Sequence, residues 1–433
     1  DASPPCQLAL EGCRGVEVRN FTLANDPPFG STGRVVAVDA AADEVTVEVL
    51  AGLPAFDGMR CASAHAWNLE TGRLKRFGTT PQEATLTIGT KISIYWKAVP
   101  GTGARRLELR GQGFARKVEV GDGISWHLSA EKLENQTQVM RSEDIVFENI
   151  ILPNVTQMGL LAGYNRNLTL RRVRFEPERG NLAVGSRDGM HLSMNSGTML
   201  LEDCLFMGLR MDPLVFRVTF GLVTAIQTDR TVLIKPGFPV PAGDAVRFWV
   251  GAEPQDRVCT GYAKEADGTW RYTFATPIPR EAILGTPVTF QTYALSSGTV
   301  RRCVFAENFG SAIVNFVENM TVEDCVFTDN SYQLKFGANE TSGAFVRNNV
   351  FRSNVISNVS WIDIGHRGVP SCLTVHSLNR YFKNPLYNQH LLFAGNLFVN
   401  ATGQKGVAAI HLLNASDVEL RENRFEGFET ELL

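Results

Sequence analysis

A recurring strand pattern constrains the fold of this chain more than any other feature. Seven segments alternate apolar and polar residues, and each ends in a phenylalanine that has Cys, Asn or Val two positions before it. These phenylalanines are Phe175, Phe206, Phe305, Phe327, Phe351, Phe398 and Phe425. A strand with such alternation cannot bury its apolar face alone, so the copies are expected to stack as coils. The pattern predicts a right-handed parallel β-helix with the phenylalanines in a ladder through its core.

The spacing of the phenylalanines fits one coil per repeat, with long interruptions. Phe305 and Phe327 are 22 residues apart, whereas Phe206 and Phe305 are 99 apart, which is too many for a loop. Leucine-rich repeats have a similar period, but strands rich in Val, Thr and Phe favour β structure. Two stretches that begin near Gly33 and Gly221 share alternating strands and Gly-X-Pro turns, which is typical of repeated hairpins.

We therefore expect an all-β chain, a right-handed parallel β-helix that carries two inserted small β-barrel-like or sandwich-like subdomains. The expected boundaries are 1–28 for the entry coils, 29–130 for the first β-rich insertion and return, 131–213 for the β-helix, 214–295 for the second, barrel-like insertion and 296–433 for the C-terminal coils.

The composition is that of a large soluble β protein. The chain has 433 residues, of which 44% are hydrophobic, so a large core can form without an external staple. Lys and Arg number 42 against 45 for Asp and Glu, without a basic cluster, which argues against nucleic acid as a partner. No apolar run approaches the roughly 18 residues of a membrane span. The chain opens at DASPPC, so we expect any secretion signal to have been removed.

The number of Asn-X-Ser/Thr sequons suggests a compartment. An excess of sequons predicts a secreted, extracellular or cell-surface glycoprotein. The alternative is that a β-helix places Asn in turns just before Thr-containing strands. The nine candidates are Asn20, Asn135, Asn154, Asn167, Asn319, Asn339, Asn358, Asn400 and Asn414.

Cysteine use predicts a buried column and leaves disulfides open. Cys204, Cys303 and Cys325 share the repeat position two residues before a phenylalanine, so they should stack as buried thiols. Five cysteines outside this column are the better disulfide candidates. They are Cys6, Cys13, Cys61, Cys259 and Cys372. Neither a Cys-X-X-Cys pair nor an HExxH motif is present, so the sequence predicts no metal site.

The chemistry is best sought in the coil before the second insertion. Asp188 and Asp212 are 24 residues apart, so they are expected to stack on neighbouring coils, with Ser311 and Gln333 continuing the column. Two carboxylates on strands about 4.8 Å apart can reach the separation of roughly 6.5–9.5 Å that inverting glycosidases use. Read alone, Asp188-Gly189 and Asp212-Pro213 are also ordinary turn dipeptides. We expect the pair to face a cleft covered by the second insertion.

The order of parts resembles the family 110 glycoside hydrolases, which are α-1,3-galactosidases with barrels inserted into a β-helix. The resemblance covers most of the chain and depends on Asp-Gly-Met-His at 188–191 and on Gly-Leu-Arg-Met-Asp at 208–212. It implies that Asp188 and Asp212 are catalytic carboxylates, that His191 contacts substrate, that hydrolysis inverts the anomeric centre, and that no cofactor is needed.

The chain departs from the family pattern beside Asp212. The first aspartate of the family's adjacent pair is Met211 here, and the asparagine three residues beyond the second is Val215. A thioether cannot carry a proton, so one hypothesis is a secreted carbohydrate-interacting or structural glycoprotein on a galactosidase-like scaffold with impaired catalysis. The alternative is an active inverting exo-α-1,3-galactosidase that uses Asp188 and Asp212. A pectin lyase or polygalacturonase shares the β-helix but has a basic or multi-Asp cleft that this sequence lacks.

Further contacts to a sugar are expected along the coil edges. Asn315, Gln333 and Lys335 are predicted, with His191, to bind substrate through amide and ammonium groups. The expected partners are galactose-containing glycans. A protein partner or self-assembly is also expected at the N-terminal end, because a solenoid without its own cap exposes strand edges.

Overall fold

The repeats form a parallel β-helix in the computed structural model of the chain. Coils of the helix contribute strands to a ten-stranded parallel sheet and to a fifteen-stranded parallel sheet. The structure describes residues 6–76, 94–103, 105–111, 113–128, 135–178, 180–185, 187–338, 345–362, 370–377 and 387–433. No helix in these ranges is long and apolar enough to cross a membrane. The all-β prediction is confirmed.

The chain enters through one coil before its first insertion. The coil contains β1 (Leu8–Glu11) and β2 (Arg14–Thr22). The insertion that follows contains β3 (Gly30–Asp39), β4 (Glu44–Val49), β5 (Ala62–Asn68), β6 (Arg73–Leu74), β7 (Lys97–Ala98), β8 (Arg106–Arg110), the 3₁₀ helix Phe114–Arg116 and β9 (Gly123–His127). These strands form a mixed-order antiparallel sheet, β6-β5-β9-β3-β4-β8-β7, around a core of its own that includes Trp96 and Trp126.

The β-helix then resumes and is interrupted by a closed barrel. The resumed coils contain β10 (Thr137–Met140), β11 (Glu143–Leu152), β12 (Leu160–Gly163), β13 (Arg166–Phe175), β14 (Met190–Ser193), β15 (Ser196–Glu202), β16 (Leu205–Met207) and β17 (Leu214–Arg217). The barrel contains β18 (Gly221–Thr228), β19 (Thr231–Lys235), β20 (Ala245–Phe248), β21 (Gln255–Lys264), β22 (Trp270–Phe274) and β23 (Pro287–Phe290), followed by the 3₁₀ helix Gln291–Tyr293. The strands close in the order β18-β19-β22-β21-β20-β23.

The remaining coils complete the helix. They contain β24 (Leu295–Arg301), β25 (Val304–Ala306), β26 (Ile313–Asn315), β27 (Met320–Glu323), β28 (Val326–Thr328), β29 (Leu334–Ala338), β30 (Arg347–Arg352), β31 (Val355–Ser357), β32 (Ser371–Ser377), β33 (Gln389–Ala394), β34 (Leu397–Val399), β35 (Ala408–Leu412), β36 (Val418–Arg421), β37 (Arg424–Glu426) and β38 (Thr430–Leu432). The ten-stranded sheet, called the first sheet below, has the order β1-β10-β12-β14-β17-β26-β29-β32-β35-β38.

The phenylalanine ladder runs through the core as predicted, except at one position. Phe175, Phe206, Phe305 and Phe327 pair in register and are fully buried. The Phe206 and Phe305 rings are parallel, with centroids 4.8 Å apart. Phe351 does not continue this column, because Phe327 pairs with Ile356 and Phe351 pairs with Val322 and Phe393. Its coil has two strands that each end in the same apolar pattern, and the sequence pattern selected the wrong one.

All eight cysteines are free thiols in the structure, so the expected disulfides do not form. The physical reason is separation, since Cys61 and Cys259 are buried in the cores of the first insertion and the barrel, whereas Cys372 lies in the β-helix core. Cys204, Cys303 and Cys325 do stack on successive coils. The Val304 N–H donates to the Cys204 carbonyl, and the Val326 N–H donates to the Cys303 carbonyl. The column continues with Asn354, whose Oδ1 accepts from the Cys325 N–H at 2.9 Å.

Five of the described sequon asparagines occupy left-handed backbone positions. Asn20, Asn167, Asn319, Asn358 and Asn414 have positive φ angles, the left-handed conformation that asparagine tolerates best among non-glycine residues. The described structure therefore gives these asparagines a reason to be present that is independent of glycosylation.

Two sequons lie where a glycan does not fit the fold. Asn154 and Asn400 are buried, and their amide nitrogens donate to Glu178 and to Gln404 respectively. Asn20 is exposed and Asn135 is partly exposed, whereas Asn339 lies outside the described residues. Glycosylation therefore stays a prediction for the accessible sequons only.

Candidate active site

The two insertions pack at opposite ends of the strands of the first sheet. Before β26, the ring of His65 in the first insertion stacks on Phe309 with centroids 4.1 Å apart, and the Leu74 N–H donates to Glu307 Oε2 at 2.8 Å. After β26, Arg247 of the barrel donates to Glu318 at 2.7 Å. The outward face of β14, β17, β26 and β29 thus lies between the two insertions, and Val215 and Val314 at its centre are buried. We call this outward face the cleft face.

Two aspartates meet at the start of the cleft face. Met190 of β14 pairs with Leu214 of β17, and Gly189 N–H donates to the Asp212 carbonyl at 3.1 Å. Asp188 and Asp212 therefore occupy equivalent positions on adjacent coils, two residues before their strands. The two aspartates thus stack on neighbouring coils, as the sequence predicts.

Close backbone packing fixes this arrangement. A Cβ on Gly189 would lie 2.6 Å from the Pro213 carbonyl oxygen, and one on Gly310 would collide with the Met211 backbone. Only glycine permits such approaches. The approach of Gly310 brings the next residue, Ser311, against Asp212, whose Oδ1 accepts from the Ser311 N–H at 2.8 Å.

The two carboxylates have different surroundings. Asp188 is buried, and its Oδ2 lies 2.9 Å from Nδ1 of His191, which therefore carries the hydrogen when the carboxylate is ionised. Burial, together with the charge of Asp188, raises the pKa of Asp212 from its ordinary value to about 6, against the opposing effect of Lys335. The pair thus combines an oriented carboxylate with one that retains a proton close to neutral pH.

Cationic and phenolic groups surround the pair. Tyr332 pairs with Ser311 and continues the aspartate column, and burial raises its pKa to about 12. Arg210 is buried over the Phe309 ring, and burial lowers its pKa to about 10. Lys335 shares a column with His191, because Val215 and Val314 lie between them in the strand register. Its pKa is lowered by burial.

Two residues predicted to bind sugar lie in the interior instead. Asn315 pairs with Phe216 and Phe336, which belong to the β-helix core, and its Oδ1 accepts from the Val317 N–H. The strand register places Leu334 opposite Ile313. Gln333, one residue earlier, therefore lies in the same column as Ala312 and Cys372, which belong to the core. Asn315 therefore faces away from the cleft face, and Gln333 is buried.

Sequence reasoning missed Tyr332, Arg210 and Arg217. Tyr332 takes the place expected for Gln333, because the turn before β29 is one residue shorter than the turn before β26. Arg217 pairs with Ser193 on the outward face, and its charge acts on Asp188. The described contacts also place the first insertion, rather than the barrel, beside the aspartates. Arg210 precedes Asp212 by two residues in the sequence, and this proximity could have indicated a cation beside the aspartate.

The described residues contain no group of three or more His, Cys, Asp or Glu side chains that could hold a metal ion.

Comparisons with known proteins find distant relatives that are named as galactosidases. Alpha-1,3-galactosidase A of Bacteroides fragilis is 22% identical over 211 residues, which are 48% of this chain and 34% of that protein. Alpha-1,3-galactosidase A of Shewanella woodyi is 22% identical over 97% of this chain and 76% of its own length. The chain is thus a distant relative of proteins named as galactosidases, and its match spans about a third of the Bacteroides protein.

Other comparisons add little. No protein-family model matches the chain. Among solved structures, the A-module of a mannuronan C-5 epimerase from Azotobacter vinelandii is 12% identical, covers 70% of this chain and 63% of its own, and has a TM-score of 0.30. At that score the likeness carries no argument about the site.

Proposed function

We propose that the protein hydrolyses terminal α-linked galactose with inversion of configuration, using Asp188 and Asp212. The observation that carries the proposal is the placement of the two carboxylates opposite each other on adjacent coils, with the pKa of Asp212 raised to about 6. Inverting glycosidases need one carboxylic acid and one carboxylate with room for a water between them. The distant relationship to proteins named alpha-1,3-galactosidase supports galactose as the sugar.

The surroundings assign a role to each carboxylate. Asp212 is the general acid, because its Oδ1 is held by the Ser311 N–H and its other oxygen is left to protonate the glycosidic oxygen. Asp188 is the general base, which takes a proton from the water that attacks the opposite face of the sugar. His191 positions Asp188 through the 2.9 Å contact of Nδ1 with Oδ2. Such acid and base steps contribute about 10²- to 10⁴-fold each.

The pH dependence follows from the raised pKa of Asp212. The acid must be protonated, so kcat/KM should fall as pH rises through about 6. The charge of Lys335 lowers the pKa of Asp212, so Lys335→Met should move this alkaline limb to higher pH. Measurement of kcat/KM against pH for the protein, for Lys335→Met and for the exposed control Lys264→Met tests this. An unmoved limb in Lys335→Met would exclude Asp212 as the acid.

A second candidate function is glycan binding without turnover. It is favoured by Met211, which stands one residue before Asp212 where the resembled family has a further aspartate. If that missing carboxylate is the acid or base, Met211→Asp should increase hydrolysis of an aryl α-galactoside by an order of magnitude or more. A continuous assay on folded Met211→Asp and Met211→Leu proteins measures this. Equal activity in the two variants would show that Met211 does not limit catalysis.

The two candidates are separated by one substrate panel. We expect the purified protein to hydrolyse aryl α-galactosides and blood group B trisaccharide but not aryl β-galactosides, and NMR should detect β-galactose as the first product. Retained galactose binding with no turnover would instead support the second candidate. Release of α-galactose first would exclude the inverting mechanism.

We also propose that the protein is secreted and glycosylated at its accessible sequons. Asn20 is the strongest candidate, because it is exposed on β2. Glycosidase treatment of the protein from its native source should lower its mass, with Asn20 among the modified sites. An unmodified Asn20 in that material would contradict the proposal.

A further inference from the structure

The cleft face carries more positive than negative charge around the catalytic pair. Four cations act on the pair or lie beside it, which are Arg187, Arg210, Arg217 and Lys335. Asp188 and Asp212 are the carboxylates among them, and Asp188 already has His191 as its partner.

Two of these cations make no hydrogen bond or ion pair with a residue that the structure describes, and each interacts only at longer range with one aspartate of the pair. They are Lys335 and Arg217, and both are only partly exposed. Glu318, which follows β26 where the barrel packs, does not neutralise them, because it is bound by Arg247 at 2.7 Å and lies near Arg347. A partly buried cation without a hydrogen bond or ion pair costs folding free energy, so its retention needs a reason outside the fold.

The cleft face between the two cations is apolar. Val215, Val314 and Phe316 form a small cluster on the outward side of β17 and β26, between the His191 and Lys335 positions of the same face. These side chains cannot neutralise a cation, and they lower the local dielectric around it. A bound anion would therefore interact more strongly with Lys335 and Arg217 than it would on a solvated surface.

We infer that the substrate is an anionic galactose-containing glycan, whose sulfate ester or carboxylate is bound by Lys335 and Arg217 beside the aspartate pair. The inference rests on the proposed function, since it names the substrate of that same site. Both anions present oxygen acceptors to ammonium and guanidinium groups, and guanidinium binds either one in a bidentate manner. Lys335 supplies the point charge on β29, and Arg217 supplies the directional contact on β17.

Thio-linked galactobiose and its sulfate-ester and uronate counterparts test the inference, because they bind without being cleaved. We expect either anionic ligand to bind the intact protein about tenfold more tightly than the neutral one, with the preference reduced at high salt. The two anionic ligands distinguish the two sources of charge. Equal or weaker binding of both anionic ligands would overturn the inference.

Matched variants separate anion binding from a structural role. Lys335→Met should lose the preference while its melting temperature stays equal or rises, because a buried charge without an ion pair is removed. Lys264→Met removes an exposed lysine of the barrel and should keep the preference. A fall in melting temperature with the preference unchanged in Lys335→Met would make Lys335 structural and contradict the inference.

The experiment also distinguishes the inference from the proposed function. Hydrolysis of neutral aryl α-galactosides without any anion preference would leave the proposed function intact and overturn the inference. Tight binding of an anionic ligand through Lys335, with no hydrolysis of any substrate, would support anion recognition and overturn the proposed function.

Discussion

Replacement of Asp212 by asparagine is expected to lower hydrolysis of aryl α-galactosides by about 10²- to 10⁴-fold, because the general acid is lost. The Ser311 N–H can still donate to the asparagine oxygen, so the geometry of the coil should be preserved. Steady-state kinetics of the variant measures the loss. The matched control is Asp324→Asn, which removes an exposed aspartate from a turn with positive φ, a conformation that asparagine also adopts.

The same substitution should make the protein more stable at neutral pH. The pKa of Asp212 is raised to about 6 in the folded state, so the folded protein holds a proton there that the unfolded chain releases above about pH 4. Stability therefore falls as pH rises from about 4 to 6, and asparagine removes this dependence. Thermal unfolding at several pH values tests the sign. Lower activity together with lower stability at pH 7 would mean that Asp212 is structural.

Truncation of Phe305 to alanine is expected to lower the free energy of unfolding by about 3–5 kcal/mol. Phe305 is fully buried between Phe206 and Phe327, with ring centroids 4.8 and 4.9 Å away. Neither neighbouring ring can move into the cavity, because each is itself fixed by the next coil. Urea unfolding followed by near-ultraviolet circular dichroism provides the measurement.

Phe56→Ala is the matched control for this truncation. Phe56 is 49% exposed in the first insertion, so removal of its ring should change stability by well under 1 kcal/mol. A loss in Phe305→Ala no greater than that of the control would mean that the stacked rings contribute little, and that the coils are held mainly by their backbone ladders.

The sequence predicted the β-helix because its pattern repeats in most coils. Phe206, Phe305 and Phe327 each follow the same alternation, so an error in one repeat could be recognised from the others. Phe351 was misplaced because two strands of one coil end in the same pattern, and only the pairing of Phe327 with Ile356 resolves them. Backbone pairing between coils is not encoded in any single repeat.

The site was less predictable, because it depends on turn length. Ser311 follows Phe305 by six residues, and the same offset from Phe327 leads to Gln333. The turn there is one residue shorter, so Tyr332 pairs with Ser311 and Gln333 points inward. Tyr332 and Gln333 lie in the turn before β29, so a change of one residue in the length of this turn exchanges a cleft residue for a core residue. Asp188 and Asp212 were placed correctly, because their separation of 24 residues matches the register of the two coils.

The insertion of the barrel between Asp212 and Ser311 affects when the site can form during synthesis. The hydrogen bond between these residues joins positions 99 apart, and the whole barrel lies between them in the chain. A nascent chain that has released β17 still lacks the backbone group that holds the Asp212 carboxylate. Contacts of such sequence separation form late. The acid should therefore become competent only after the barrel has folded and the coil that follows it has docked, which makes activity a reporter of completed assembly.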